Sequence, residues 1–340
     1  MIVIFSRSGG DLTTDEVMAW VNYLGEEVYR LNVEDYEGPN SFFKLLLDDS
    51  GKSFDIQRLD DPPLAVADIS VIWLRRGHNL QSIRDRLKEI HGKDFFYDLM
   101  LFLSQEIRAT NRLIQYFAGE HTHWIDKLEH SNPSKIYQLQ CASSVGFHIP
   151  STIITNNKKD VITFQQKHGK IITKPVVDST FLFPDSNKGG YGLYTALVEM
   201  ETVDHLPETF FPCLFQSCVE KDVELRIFYL MGEAYTMAIF SQSNVETQVD
   251  FRYYSGKQNR WVPFNLPKAI LERIQKLMEL LNLTTGSLDV VKATNGDYVF
   301  LEVNPSGQFG MVSIPCNYHL EKKLAQKLIS YERKRKEAIK

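Results

Sequence analysis

GSLDVVKATNGDYVFLEVNPSGQ, residues 286–308, decides how the rest of this 340-residue chain is read. Residues 287–292 and 298–303 alternate and are rich in β-branched and aromatic types, which predicts two strands. Thr294-Asn295-Gly296-Asp297 lies between them. Asn-Gly takes positive φ readily, so the two strands close as a hairpin. Asp289, Glu302 and Asn304 offer oxygen ligands along it. Glu302 and Asn304 are two apart, so both leave one face, roughly 7 Å apart along the strand. Val299, Leu301 and Val303 alternate with them, and carboxylates in such company are costly to bury without a cation. A hard divalent ion such as Mg²⁺ takes carboxylate and amide oxygens and completes its shell with phosphate oxygens. The alternative is a hairpin with ordinary polar positions.

The bulk properties bound the function. A chain of 340 residues, 43% hydrophobic and 24% charged, can bury a large core and hold two or three subdomains. A net charge of −5 argues against general nucleic-acid binding. No run of 18 apolar residues exists, so no membrane span is expected. The opening MIVIFSRSGG is too short in its apolar run for a signal peptide and reads as a buried strand. Cys141, Cys213, Cys218 and Cys316 form no CxxC pair, so free thiols in a reducing cytoplasm are expected.

Taken in order, residues 1–118 read as a small α/β domain. A strand at 2–6 leads to a helix at 13–24. There Thr13 and Glu16 form a capping box, Val17, Val21 and Leu24 share a face, and Gly25 is the stop. Strands at 27–32, 42–47, 53–58 and 69–74 follow, the middle two as a hairpin, and helical pattern runs from 80 to 117. Ser8-Gly9-Gly10 lacks the spacing of a dinucleotide fingerprint and reads as a turn. Arg75-Arg76 closes the strand Ile72-Trp73-Leu74, either as solvated strand-end charge or as part of a site.

Residues 119–211 read as a central subdomain. Pro133 and Ser134 open a helix over 135–144. KIITKP, residues 170–175, is a strand carrying Lys174. Residues 178–194 suit a mobile flap or an ordinary surface loop. Residues 212–340 read as a C-terminal subdomain: strand, turn and strand over 213–230, a turn at Gly232, an amphipathic helix at 267–281, the hairpin, and a last helix at 319–340. There are no internal repeats.

Several residues could carry chemistry. Lys174 sits in an apolar strand, where a bound phosphate would compensate its ammonium; a surface lysine is the alternative. Glu224-Leu225-Arg226 and Asp250-Phe251-Arg252 each place an acid and an arginine on one strand face at i, i+2. Each acid can then hold its arginine's fork in place, although surface ion pairs share that pattern. The nine histidines pair with no cysteine or serine motif.

On these residues the chain resembles a known family. LDVV (288–291) with GDYVFLEVNPSGQF (296–309) looks like the metal-binding end of an ATP-grasp ligase. With the ExR and DxR motifs it is most similar to the ligases that close macrocycles in ribosomal peptides, the microviridin-type or graspetide ligases, including the grasp-with-spasm maturases. The resemblance covers most of the chain. It implies an α/β (α+β) chain with the ATP-grasp fold: an N-terminal pre-ATP-grasp domain, a central subdomain and a C-terminal subdomain with the metal site.

The resemblance further implies two Mg²⁺ ions on Asp289, Glu302 and Asn304, and ATP phosphates on Lys135 and Lys174. Residues 216–221 would present the adenine contacts, Cys218 and Val219 through the main chain and Gln216 or Glu220 through a side chain. Where the family often has an acidic or Gln pair, this chain has Gln216-Ser217. Arg226 and Arg252, backed by Glu224 and Asp250, would receive the substrate's acid and the transferring phosphoryl group. The substrate would be a ribosomal precursor peptide with a leader and an acidic core. Asp or Glu would be joined to Thr or Ser as esters, or to Lys as amides, by a cytoplasmic homodimer binding neither nucleic acid nor membrane. A ligase acting on amino acids or protein C-termini, and an ATP-binding protein without turnover, are the alternatives.

Overall fold

A computed structural model describes the chain except for residues 8–10, 33–40, 59–63, 66–67, 77–92, 119–121, 127–132, 177–179, 183–189, 193–194, 244–258 and 340. The described residues gather into two compact units, one of Met1–Asn132, Leu283–Thr285 and Pro305–Lys340, the other of Pro133–Asn282 and Gly286–Asn304.

In the first unit, the opening apolar run forms β1 (Ile2–Ser6), buried at every position. After it come α1 (Leu12–Tyr23), β2 (Val28–Asn32), β3 (Ser41–Asp48), β4 (Gly51–Arg58), β5 (Leu64–Ala65), β6 (Val71–Leu74), α2 (Lys93–Phe117) and β7 (His123–Ile125). Strands β2-β1-β6-β7 form a wholly parallel sheet. Its central strands are continuous apolar runs rather than alternating ones, as burial on both faces requires. β3, β4 and β5 form a separate antiparallel sheet, with a two-residue turn closing β3 onto β4. Val3, Phe5, Ile72, Ile107, Ile114 and Phe117 anchor the core. Helix α1 has Asp11 as its N-cap, and the capping box expected from Thr13 and Glu16 does not form. The hydroxyls of Thr13 and Thr14 donate instead to the Asp11 carboxylate, at 2.9 and 2.6 Å, because that buried acid needs donors.

The second unit holds α3 (Lys135–Ser144), β8 (Thr152–Asn157), α4 (Lys158–His168), β9 (Ile171–Lys174), the short hairpin β10 (Thr180–Leu182) and β11 (Gly190–Gly192), β12 (Ala196–Leu197), α5 (Met200–Asp204) and β13 (Thr209–Ser217). It continues with β14 (Lys221–Leu230), β15 (Glu233–Ile239), β16 (Trp261–Pro263), α6 (Lys268–Leu280), β17 (Thr285–Ala293) and β18 (Tyr298–Asn304), apart from Thr285. The chain then returns to the first unit as α7 (Gly310–Cys316) and α8 (Leu320–Ile339). Beside the two-stranded β10-β11 hairpin, two larger sheets result, β12-β9-β13-β8 and β16-β15-β14-β17-β18. α6 buries Ile270, Ile274, Leu277 and Met278, the one-sided spacing that marks an amphipathic helix. β13 runs through the 211/212 boundary expected from the sequence, and the compact units part at 132/133.

Candidate active site

The hairpin forms as its sequence predicts. Gly296 takes φ +88°, and Asn295 Oδ1 accepts from the Asp297 amide at 3.1 Å to close the loop. Ser287 pairs with Asn304 and Asp289 with Glu302, and a register shift follows between Asp289 and Val290. Residues directly opposed on antiparallel strands share a face, as do residues two apart. Asp289, Glu302 and Asn304 therefore stand on one face. β18 is the last strand of its sheet, so its outer edge needs partners. The Phe300 amide donates to the His148 carbonyl at 2.9 Å, and the Val303 amide donates to Gln138 Oε1 at 2.8 Å. Gln138 is buried on α3 and donates in turn to the Pro133 carbonyl at 2.8 Å. The backbone between Glu302 and Asn304 is thus held by a side chain that the sequence reading passed over. Its signal was a glutamine on the helix face that also carries Leu139 and Ala142, both buried.

Two cations meet the two acids. Arg226 Nη1 donates to both oxygens of Asp289, at 2.7 and 2.6 Å. Lys135 Nζ lies 3.6 Å from Glu302 and donates to the Pro175 carbonyl at 3.0 Å. Lys135 therefore touches both the residue after β9 and strand β18. Glu224 was expected to hold Arg226, and it does not. It accepts from Lys221 Nζ at 3.0 Å and from Ser241 Oγ at 2.5 Å. An i, i+2 pair on an extended strand stands about 7 Å apart, whereas Asp289 comes from the neighbouring strand and reaches the guanidinium directly. Burial pushes the Glu224 carboxyl above its ordinary range; Lys221 and its own hydrogen bonds oppose the rise, and nearby Asp289 adds to it.

The donor set suits Mg²⁺. Two carboxylates and an amide share a face, all through oxygen, and the acids keep 19% and 25% of their side-chain surface in solvent. Among the described residues no three His, Cys, Asp or Glu side chains converge, so the amide of Asn304 is needed to complete a protein triad.

Lys174 ends β9 half-buried, one residue before the carbonyl that Lys135 holds. Cys218, Val219 and Glu220 form the link from β13 in one sheet to β14 in the other. The Cys218 amide donates to the Lys170 carbonyl at 2.9 Å, and Glu220 O accepts from the Thr294 amide at 3.2 Å. Val219 packs against Val291, Ala293 and Val299. Gln216 is buried, and its Nε2 is committed to Thr152 Oγ1 at 2.9 Å. Burial raises the Cys218 thiol above its ordinary pKa.

No family model matches this sequence, and no curated protein matches it. Solved structures do. MdnC, a macrocyclase from Microcystis aeruginosa MRC solved with its precursor peptide MdnA, has a TM-score of 0.78 at 24% identity, over 97% of this chain and 100% of that one. An ATP-grasp ligase associated with ribosomal peptide modification in Chryseobacterium gregarium, solved with ADP and a leader and core peptide, has a TM-score of 0.78 at 25% identity, over 96% and 94%. The ATP-grasp ligase PsnB, solved with minimal precursor, Mg and ADP, has 0.72 at 18%, over 97% of each.

The fold is that of the ATP-grasp ligases.

With the ATP-grasp fold, the expected α/β (α+β) chain with an α/β unit ahead of its antiparallel sheets is found. Asp250 and Arg252, the DxR motif, lie outside the described residues, as does most of the 178–194 segment. The Arg75-Arg76 pair divides. Arg75 is 2% exposed and acts as a clamp. Its Nη1 donates to the carbonyls of Ser306 and Gly307 at 2.5 and 3.1 Å. Its Nη2 donates to Thr13 Oγ1 and Gln308 Oε1, at 3.1 and 3.0 Å. Its guanidinium also lies against the Trp73 and Phe309 rings, 5.8 and 5.5 Å from their centroids. Burial, then the nearby Arg76, bring its pKa down to about 10, with Asp11 opposing, so it stays charged at neutral pH. The segment it holds is the one that follows Asn304 in sequence.

Proposed function

We propose that this chain is an ATP-dependent ligase that activates Asp or Glu side chains of a ribosomally made peptide and joins them to Thr, Ser or Lys side chains as macrocycles. The observation that carries this reading is the shared face of Asp289, Glu302 and Asn304, with Arg226 and Lys135 on its two acids. The structural likeness supports it: MdnC and the C. gregarium ligase are seen with precursor peptides, and PsnB with precursor, Mg and ADP and with AMPPNP.

In this reading Asp289, Glu302 and Asn304 hold Mg²⁺, with two ions expected, and the metal when bound offsets charge on the β- and γ-phosphates. Lys135 and Lys174 hold phosphate oxygens between the two larger sheets of the second unit, which are the central and C-terminal ATP-grasp subdomains. The 218–220 link offers main-chain groups to adenine. Arg226, with Arg252, takes the substrate acid. A carboxylate oxygen attacks the γ-phosphorus, the bond to the β–γ bridging oxygen breaks, and ADP leaves an acyl phosphate. A hydroxyl or amine of the same peptide then attacks the acyl carbon. The carbon–oxygen bond to phosphate breaks, and phosphate departs with the proton passing to it or to solvent. Most of the rate comes from positioning and fixed charge, with no protein nucleophile.

The test combines the protein, ATP, Mg²⁺ and an acidic peptide encoded beside its gene, read by mass spectrometry. Loss of one water per link is expected. Turnover with free amino acids and none with any such peptide would move the activity to small-molecule ligation.

A further inference from the structure

Arg226 and Asp289, both in the second unit, do not pair in the common way. An arginine and a carboxylate frequently meet fork to fork, two nitrogens on two oxygens. Here one nitrogen, Nη1, serves both Oδ1 and Oδ2, at 2.7 and 2.6 Å. It therefore sits on the line that bisects the carboxylate, where a cation held by both oxygens would sit. The fork itself is not spent: Arg226 Nε is out of solvent with no hydrogen-bond partner among the described residues. A buried donor left in that state is costly, so the guanidinium gains by moving to a ligand that also takes Nε.

Charge gives the move a cause. Mg²⁺ lies about 2.1 Å from an oxygen ligand, so on either oxygen of Asp289 it would stand within about 5 Å of Nη1 as placed here. The two side chains are 11% and 19% exposed, and water screens the repulsion between the cations poorly. Lys135 is placed differently. It faces Glu302 at a looser 3.6 Å and has a second anchor in the Pro175 carbonyl at 3.0 Å. Glu224, two residues from Arg226 on β14, is taken by Lys221 and Ser241. A guanidinium displaced from Asp289 keeps a planar fork to offer to an incoming carboxylate.

We propose that Arg226 and the divalent ion compete for Asp289. Arg226 holds the carboxylate until the ion takes it, and the guanidinium then turns its fork to the acid of the substrate. Metal loading thus makes the acid-binding site, so nucleotide with its metal binds before the peptide's acid. The proposal rests on the ligase reading above for the identity of that substrate. The opposite arrangement is an arginine that supports Asp289 while it binds metal, and the two differ in sign. Removing a supporting partner of a metal ligand weakens metal binding by about 10–100-fold, whereas removing a competitor tightens it.

The test titrates Mn²⁺, a paramagnetic stand-in for Mg²⁺, into the full chain without nucleotide and follows the free ion by electron paramagnetic resonance. Arg226→Gln is expected to bind Mn²⁺ tighter than the parent by about tenfold or more, the effect of removing a like charge at close range. Arg226→Lys keeps the charge and should stay near the parent. A second measurement uses the parent alone. Phenylglyoxal modifies accessible guanidinium groups, and its rate at Arg226, read by peptide mass spectrometry, should rise as Mn²⁺ binds, with the exposed Arg333 as reference. Equal or weaker Mn²⁺ binding by Arg226→Gln, or a rate at Arg226 that Mn²⁺ leaves unchanged or lowers, overturns the proposal. The ligase reading fails separately. If Arg226→Gln tightens Mn²⁺ binding but the parent forms no ADP with any peptide, that reading falls and the competition stands. If the parent modifies a peptide and Arg226→Gln weakens Mn²⁺ binding, the competition falls and the ligase reading stands.

Discussion

At the scale of single residues, the site depends on how few side chains share each charge. Glu302 is partly exposed opposite Asp289, and the proposed role is that of a metal ligand rather than a packing element. Glu302→Ala is therefore expected to abolish ADP formation while shifting the melting temperature by no more than about 2–4 °C, read by a coupled assay and by circular dichroism. Asp11 is the opposite case. It is buried beside Arg75, and Asp11→Asn leaves that guanidinium without its carboxylate. A loss of about 3–5 kcal/mol is expected in a urea titration, because breaking a buried pair strands the remaining charge. The pH dependence follows. Burial alone would raise the Asp11 carboxyl; Arg75, the Thr14 and Thr13 hydroxyls and Arg76 outweigh it and hold the group below its ordinary value. A depressed folded-state pKa gives stability that is complete above the unfolded value of about 4 and is lost as pH falls through the folded value. The urea midpoint should therefore drop below about pH 4, and Asp11→Asn should remove part of that drop.

At the scale of elements, the hairpin was legible because its two periodicities and its Asn-Gly turn are local. So was α6, whose buried residues follow the helical repeat. The ion pairs were less so. The Arg226–Asp289 contact joins residues 63 positions apart, and an i, i+2 rule on one strand pointed to Glu224 instead. The Gln138 bond to Val303 spans 165 positions and leaves no periodic trace. It still has a consequence. Gln138→Met removes the acceptor for the Val303 amide and frees the edge strand between Glu302 and Asn304. The Mg²⁺ concentration for half-maximal ATP turnover should rise, and Gln138→Glu, which keeps an acceptor oxygen, should recover part of it. Equal Mg²⁺ requirements in Gln138→Met and the parent would show that the strand holds its ligands unaided. Behind the same strand, Phe300 is fully buried with its ring centroid 6.0 Å from that of Phe147. Phe300→Ala should cost about 3–5 kcal/mol in the same titration.

At the scale of the whole molecule, the resemblance carried by residues 288–309 implied an α/β (α+β) ATP-grasp chain, and the structural neighbours carry that fold. The partition into compact units was not legible. Sequence punctuation marks loops, whereas residues 283–285 and 305–340 join the first unit through tertiary contacts far along the chain. The Asp126 carboxylate accepting from Thr284 illustrates this, since no local signal links them. The account of function rests on one claim, that Asp289, Glu302 and Asn304 take up magnesium with nucleotide. The most direct test is a calorimetric titration of ADP into the full chain, with and without Mg²⁺, repeated on Glu302→Ala. Binding that requires Mg²⁺ and is lost in Glu302→Ala is the expected result. Binding that is equally strong without Mg²⁺, or unchanged in Glu302→Ala, would contradict it.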